Sequence, residues 1–116
     1  MAIAEAYSGT QAVDNATEWS MTTDTAGPDT ATADGVYQIF LDLSDMVTGD
    51  QLLIMIYEDT ANSTVQRVAY RSILYGPQPT PIWVSPTFVL TTGWDATLLM
   101  LSATTCTVDW SIRAVT

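Results

Sequence analysis

Thr107-Val108-Asp109-Trp110-Ser111-Ile112-Arg113-Ala114 is the plainest strand in the chain. Val108, Trp110, Ile112 and Ala114 fall on one side of a two-residue period, and Thr107, Asp109, Ser111 and Arg113 on the other. Successive side chains of a strand point to opposite faces, so the pattern buries one face and wets the other. Asp109 and Arg113 share the wet face. The same rhythm stands upstream, where Tyr37, Ile39, Leu41 and Leu43 alternate with Gln38, Asp42 and Ser44. No helical period of useful length competes with these strands, and the class is all-β.

Working outward, residues 44–49 form a turn under which Met46 tucks. Asp50 opens a strand over 51–58 that is apolar on both faces from Leu52 to Tyr57. Such a strand is central in its sheet, or one of its faces meets another body. Residues 58–63 read as a hairpin loop. Residues 65–75 read as a strand with Arg67 and Arg71 on one face and Val68, Tyr70 and Leu74 on the other. Gly76-Pro77-Gln78-Pro79-Thr80-Pro81 is a stiff connector, because each proline fixes φ and restricts the residue before it. Residues 82–91 form a strand interrupted by Pro86, which cannot donate to a ladder and so marks an edge or a bulge. A turn over 92–95 leads to 98–102, again apolar on both faces. Residues 1–34 are polar and weakly patterned, an arm or loop region with room for short strands at 3–7 and 18–22. Short strands with polar turns every ten or so residues predict an antiparallel β-sandwich over 35–116, jelly-roll or immunoglobulin-like, with about six to eight strands. Strand order is not readable.

The 116 residues carry three arginines (67, 71 and 113), no lysine and thirteen carboxylates, for a net charge of −10. Nucleic-acid binding needs cations to replace the counterions of phosphate, and three do not suffice. An anionic membrane surface is excluded as a partner on the same ground. A positively charged protein surface remains compatible, although acidity also serves simply to keep a polar surface soluble. Charged residues are 14% of the chain, so threonine, with nineteen copies, dresses much of the surface and favours strands. Cys106 is the only cysteine, which forbids an intramolecular disulfide and reads as a small buried hydrophobe. No apolar run approaches the ~20 residues of a membrane helix. The opening residues lack the basic-then-apolar pattern of a secretory leader, so assembly in a cytoplasm is expected.

The absence of histidine removes the usual triads and metal-ligand sets, and the absence of lysine removes Schiff-base chemistry. Carboxylate chemistry remains, but Glu58 and Asp59 are adjacent and point to opposite faces of a strand, and nothing singles out another pair. Asp24, Asp29 and Asp34 recur at five-residue spacing without the dense pattern of a calcium loop, and read as solvated turn aspartates. The expectation is therefore no enzyme, no cofactor and no metal. The aromatics are the last candidates. Trp110 belongs to the core. Trp94, beside Gly93, either stacks on a sugar or anchors an interface, or folds back and plugs the end of the sandwich. Trp83 carries the same ambiguity. The candidate binding surface is Trp83 and Trp94 with Pro77, Pro79 and Pro81.

The run Leu41-Asp42-Leu43-Ser44-Asp45-Met46-Val47-Thr48-Gly49-Asp50-Gln51-Leu52-Leu53-Ile54-Met55-Ile56-Tyr57-Glu58 resembles a pattern in small structural proteins of tailed bacteriophages. There a Leu-x-Leu strand passes through a Gly-Asp turn into an apolar strand ending in Tyr-Glu. The close Val108-Asp109-Trp110-Ser111-Ile112-Arg113 is similar to the Trp-x-Ile-Arg ending of such chains. The resemblance implies a non-enzymatic virion component, either a capsid decoration (cement) protein or a small head or tail accessory protein. Its partners would be capsid or other virion proteins, and it would act as a homo-oligomer such as a trimer, assembled in the host cytoplasm. The alternative is a carbohydrate-binding or host-attachment module that uses exposed tryptophans.

Overall fold

The computed structural model describes residues 2–29, 32–59 and 65–115. Residues 60–63 of the expected hairpin loop lie outside them. Ten strands are described: β1 (Ile3–Val13), β2 (Trp19–Ser20), β3 (Thr25–Ala26), β4 (Gly35–Asp42), β5 (Gln51–Glu58), β6 (Arg67–Tyr75), β7 (Ile82–Val84), β8 (Phe88–Leu90), β9 (Asp95–Met100) and β10 (Cys106–Val115). They form two five-stranded sheets. The front sheet runs β1-β10-β4-β7, with β8 also paired to β4, and the back sheet runs β3-β2-β9-β5-β6. Every pairing among the described residues is antiparallel, and the protein is an antiparallel β-sandwich.

The core lies between the sheets. Tyr37, Ile39 and Leu41 of β4 and Cys106, Val108, Trp110 and Ile112 of β10 face Leu52, Ile54 and Ile56 of β5 and Ala96, Leu98 and Met100 of β9. The indole of Trp110 donates to the Met21 carbonyl at 2.9 Å, so the one polar atom of this buried ring is satisfied by the segment after β2.

The strand count exceeds the expected range for two reasons. Pro86 splits the predicted strand at 82–91 into β7 and β8, both paired to β4. Ser85 bridges the break: its N–H donates to the Ile39 carbonyl, and its hydroxyl accepts from the Ile39 N–H. The second reason is the N-terminal region, which is not an arm beside a 35–116 sandwich. Ile3–Val13 pairs along its whole length with β10, while β2 and β3 extend the back sheet. Its pattern is faint because a neighbour fills the space its side chains leave. Gly9 lies opposite Trp110, and a Cβ there would sit 2.5 Å from the ring. Trp110 is buried and tethered, so it cannot yield. Gly9→Ala should cost about 1–3 kcal/mol by overpacking, read as a lower urea midpoint at unchanged slope.

Two further expectations shift. The register slips between Ile56 and Tyr57, a β-bulge that pairs Tyr57 with Val68 and Ile56 with Tyr70. An extra residue in one strand turns the side chains beyond it to the other face. Tyr70 and Leu74 therefore pack on the core, while Val68 is exposed. The ninth strand also starts earlier than predicted, at Asp95, because that carboxylate is buried among hydrogen-bond donors instead of turning to solvent.

Candidate functional site

In an antiparallel pair, residues directly opposite share a face, so register arranges side chains in rows across each outer surface. On the back sheet the rows are Leu101–Gln51–Tyr75, Leu99–Leu53–Ile73, Thr97–Met55–Arg71 and Asp95–Tyr57–Val68. The two halves of this surface differ.

The half around Asp95 is polar and covered. The Asp95 carboxylate accepts from the Ser20 hydroxyl at 3.0 Å, the Thr22 hydroxyl at 2.6 Å and the Asp29 N–H at 2.7 Å. Gln66 ties the same segment down by donating to the carbonyls of Asp29 and Gly93. Beside it, Glu18 accepts from the Tyr57 hydroxyl at 2.6 Å and the Thr97 hydroxyl at 2.7 Å. Burial raises the Asp95 pKa above 3.8 against the opposing pull of Thr22, the Asp29 N–H and Ser20. Burial, followed by the adjacent Glu18 carboxylate, raises that of Tyr57. Asp95 is fully buried with its donors in place, so it anchors the 20–29 segment and meets no substrate.

The other half is apolar and open. Leu53 is buried without belonging to the inter-sheet core, because Leu99 and Ile73 flank it on the outer surface. Tyr75 and Leu101 are exposed at 64% and 42%. The strand that reads as apolar on both faces is thus central in its sheet and also presents an outward apolar band.

On the front sheet the rows are Ile3–Val115–Val36–Val89, Glu5–Arg113–Gln38, Ser8–Ser111–Phe40–Val84 and Thr10–Asp109–Asp42–Ile82. Arg113 lies over the Phe40 ring at 3.8 Å from its centroid, a cation–π contact. Glu5 accepts from the Ser111 hydroxyl at 2.6 Å, and Asp109 accepts from the Thr10 hydroxyl at 2.5 Å. The Ser44 N–H, followed by its hydroxyl, lowers the Asp42 pKa. Phe40, Asp42, Asp109, Ser111 and Arg113, with Ile82, border a groove of ≈ 250 Å³.

The structure scatters the residues predicted as a binding surface. Trp94 has no exposed area and packs against Tyr37 at 4.6 Å, with its indole N–H donating to the Ala33 carbonyl at 2.8 Å. It plugs one end of the sandwich, so it offers no ring to a sugar or a partner. Trp83 faces inward opposite Leu41 and is half-buried against the core. Pro77, Pro79 and Pro81 are exposed, and the Pro81 carbonyl fixes the connector by accepting from the Leu43 N–H at 2.8 Å. The connector meets the end of β4 away from Trp94 and leads into Ile82 and Val84 at the rim of the front surface. Asp24 accepts from the Trp19 indole, and Asp29 from Thr23 and Thr25. Among the described residues no three acidic, histidine or cysteine side chains are placed to hold a metal. Burial, followed by the charges of Asp45 and Asp50, pushes the Cys106 thiol up to about 11, which leaves it protonated and unreactive at neutral pH.

What reading the chain missed is the rows. Asp42, Asp109 and Arg113 were each legible as wet-face residues and Phe40 was not singled out, and the proximity of all four depends on the pairing of β4 with β10. Compared with known proteins, the chain matches no family model, no curated protein and no solved structure.

Proposed function

We propose that the protein is a non-enzymatic structural component of a virion, a decoration or head accessory protein that docks as a homo-oligomer on the capsid lattice. The observation that carries this reading is the open half of the back sheet, where Leu99 and Ile73 flank Leu53 and, in the next row, Leu101 and Tyr75 flank Gln51. Outer faces of a sandwich are ordinarily polar, and one rich in apolar side chains marks a surface that another body covers. The phage-like run of residues 41–58 supports the same reading, since it supplies β5 at the centre of that surface. Small contacts of this kind gain strength when repeated over a lattice. The burial of Trp94 removes the ring on which the sugar-binding alternative chiefly rested.

The test is co-sedimentation of purified protein with undecorated tailed-phage capsids. Wild type should pellet with them, and Tyr75→Glu and Leu101→Glu should each lose most of that binding while keeping the wild-type melting curve. Both side chains are exposed, so neither change disturbs the core. A wild-type protein that stays in the supernatant at every concentration retires the reading.

A further inference from the structure

β6 ends the back sheet: it pairs with β5 and, among the described residues, with no strand beyond. The direction of its backbone groups follows from one bond. The Gly76 N–H donates to the Asp50 carbonyl at 2.8 Å, one position past the pair Gln51–Tyr75. Residues of an antiparallel ladder alternate between those that bond the neighbour and those that turn away, so Tyr70, Ser72 and Leu74 direct their N–H and C=O groups to β5. The backbone groups of Arg71, Ile73 and Tyr75 then point to the open edge. The Tyr75 carbonyl takes a long bond from the exposed Gln78 amide at 3.3 Å and keeps a second lone pair. Residues 70–75 hold no proline and no inward charge, two devices that ordinarily guard an edge. A third, the bulge, falls outside the segment, between Val68 and Tyr70. The one charge in it, Arg71, stands on the outer surface in the row of Thr97 and Met55.

We propose that two copies of the chain pair edge to edge through β6, antiparallel and centred on Ile73, about a two-fold axis perpendicular to the sheet. Ile73 then faces Ile73 of the other copy, and on either side Arg71 faces Tyr75. Each of these pairs exchanges both of its N–H···O bonds, so all three open residues are satisfied. A guanidinium across from a tyrosine ring is a favourable cross-strand pair. Neighbouring registers lose this match. A centre on Ser72 sets the two Arg71 side chains diagonally against each other, and a centre on Leu74 sets Arg71 opposite Pro77, which has no N–H to give. A second copy therefore fits this edge in one register. β6 also carries Arg67 and Arg71, two of the chain's three cations, so each copy meets the net charge of −10 on the other with its arginines. A perpendicular axis keeps both outer surfaces on one side, and the row Leu99–Leu53–Ile73 runs on into its counterpart. The inference rests on the homo-oligomer part of the reading above and names its strand and register.

Light scattering and residue-resolved amide exchange over a range of protein concentrations test it. Wild type should move from the chain mass to twice that mass as concentration rises. The amides of Arg71, Ile73 and Tyr75 should slow over the same range, whereas those of Ser72 and Leu74, held by β5, should be slow throughout. Arg71→Pro removes an edge N–H and no bond to β5, and should lose the pairing at an unchanged circular dichroism spectrum. Arg71→Ala keeps that N–H and should pair more tightly than the proline variant. Independently, Ile73→Cys sets two thiols across the axis at a Cα spacing of about 5.5 Å, within disulfide reach, and should give a covalent dimer on oxidation. Thr107→Cys on the front sheet should not, and the native Cys106 is buried and does not compete. A wild type that is monomeric at every concentration, a pair whose three edge amides exchange freely, an Arg71→Pro variant that pairs as wild type does or an uncrosslinked Ile73→Cys overturns the pairing. Slowing of those amides only when capsids are added overturns it as well, and gives the edge to a capsid strand. A monomer that still pellets with capsids overturns the pairing alone, and a pair that ignores capsids upholds the pairing and retires the docking alone.

Discussion

Trp94→Ala should lower stability by about 3–5 kcal/mol, the range for emptying a large aromatic site in a core. The ring is fully buried, in edge contact with Tyr7 at 6.0 Å and tilted against Tyr37 at 4.6 Å. Its backbone carbonyl accepts from the buried Thr32 hydroxyl, and its indole N–H donates to the Ala33 carbonyl. Truncation thus opens a cavity and also removes one of the two donors to the Ala33 carbonyl, which keeps the Tyr37 hydroxyl at 3.0 Å. A domain of ordinary stability has about 5–15 kcal/mol in all, so the variant should be close to unfolding at physiological temperature. Trp94→Phe keeps most of the packing and forfeits the indole bond, and should lose about 1–2 kcal/mol. Urea denaturation followed by far-ultraviolet circular dichroism measures both. A loss under 1 kcal/mol for the alanine variant would contradict the buried placement and return the ring to the surface.

The second large effect is expected at Asp95. Asp95→Ala removes the acceptor shared by Ser20, Thr22 and the Asp29 N–H, and should cost about 2–4 kcal/mol, since buried donors are left unpaired. The 20–29 segment should loosen first, visible as faster amide exchange at Asp29 than at β10. Asp95 also sets a pH dependence. Its folded pKa is raised above 3.8, so the folded protein holds this proton more tightly than the unfolded chain does. The contribution of this group to stability is greatest below 3.8 and is lost as pH rises through the folded pKa. Asp95→Asn, which does not titrate, should remove that fall, so the gap between variant and wild type should narrow as pH climbs from 3.8. A gap that widens over the same interval would mean that the carboxylate is favoured in its charged form.

Legibility followed the location of the apolar atoms. β10 was plain because Val108, Trp110 and Ile112 carry their own burial. β1 was faint because its inward positions include Gly9, whose space Trp110 occupies from the neighbouring strand. Short apolar residues in a polar setting look like a loop until the partner is known. Trp94 resisted for a different reason. Thr92 and Gly93 do make a turn, but whether the next ring faces out or in depends on Tyr37 and Tyr7, which lie far away in sequence. The bulge at Ile56/Tyr57 is silent in the sequence, and it alone decides that Val68 is exposed. The candidate surfaces depended most on pairing, because a row such as Glu5–Arg113–Gln38 draws one residue from each of three distant segments.

The pairing of β1 with β10 also bears on how the chain reaches its fold. Thr10 and Asp109, bonded across these strands, are 99 positions apart. A ribosome therefore releases β1 long before its sheet neighbour β10 exists, and β4 likewise waits for β10 on one of its two sides. Closing so long a loop is slow, and β1 and β10 join the front sheet only when it closes, whereas β7 and β8 can pair with β4 earlier. The back-sheet hairpin of β5 and β6 can assemble during synthesis, but the sandwich as a whole closes after residue 115 has emerged. During that interval β1 is an unpaired strand free to find the β10 of another nascent chain, so crowding of polysomes is where strand exchange between copies would begin.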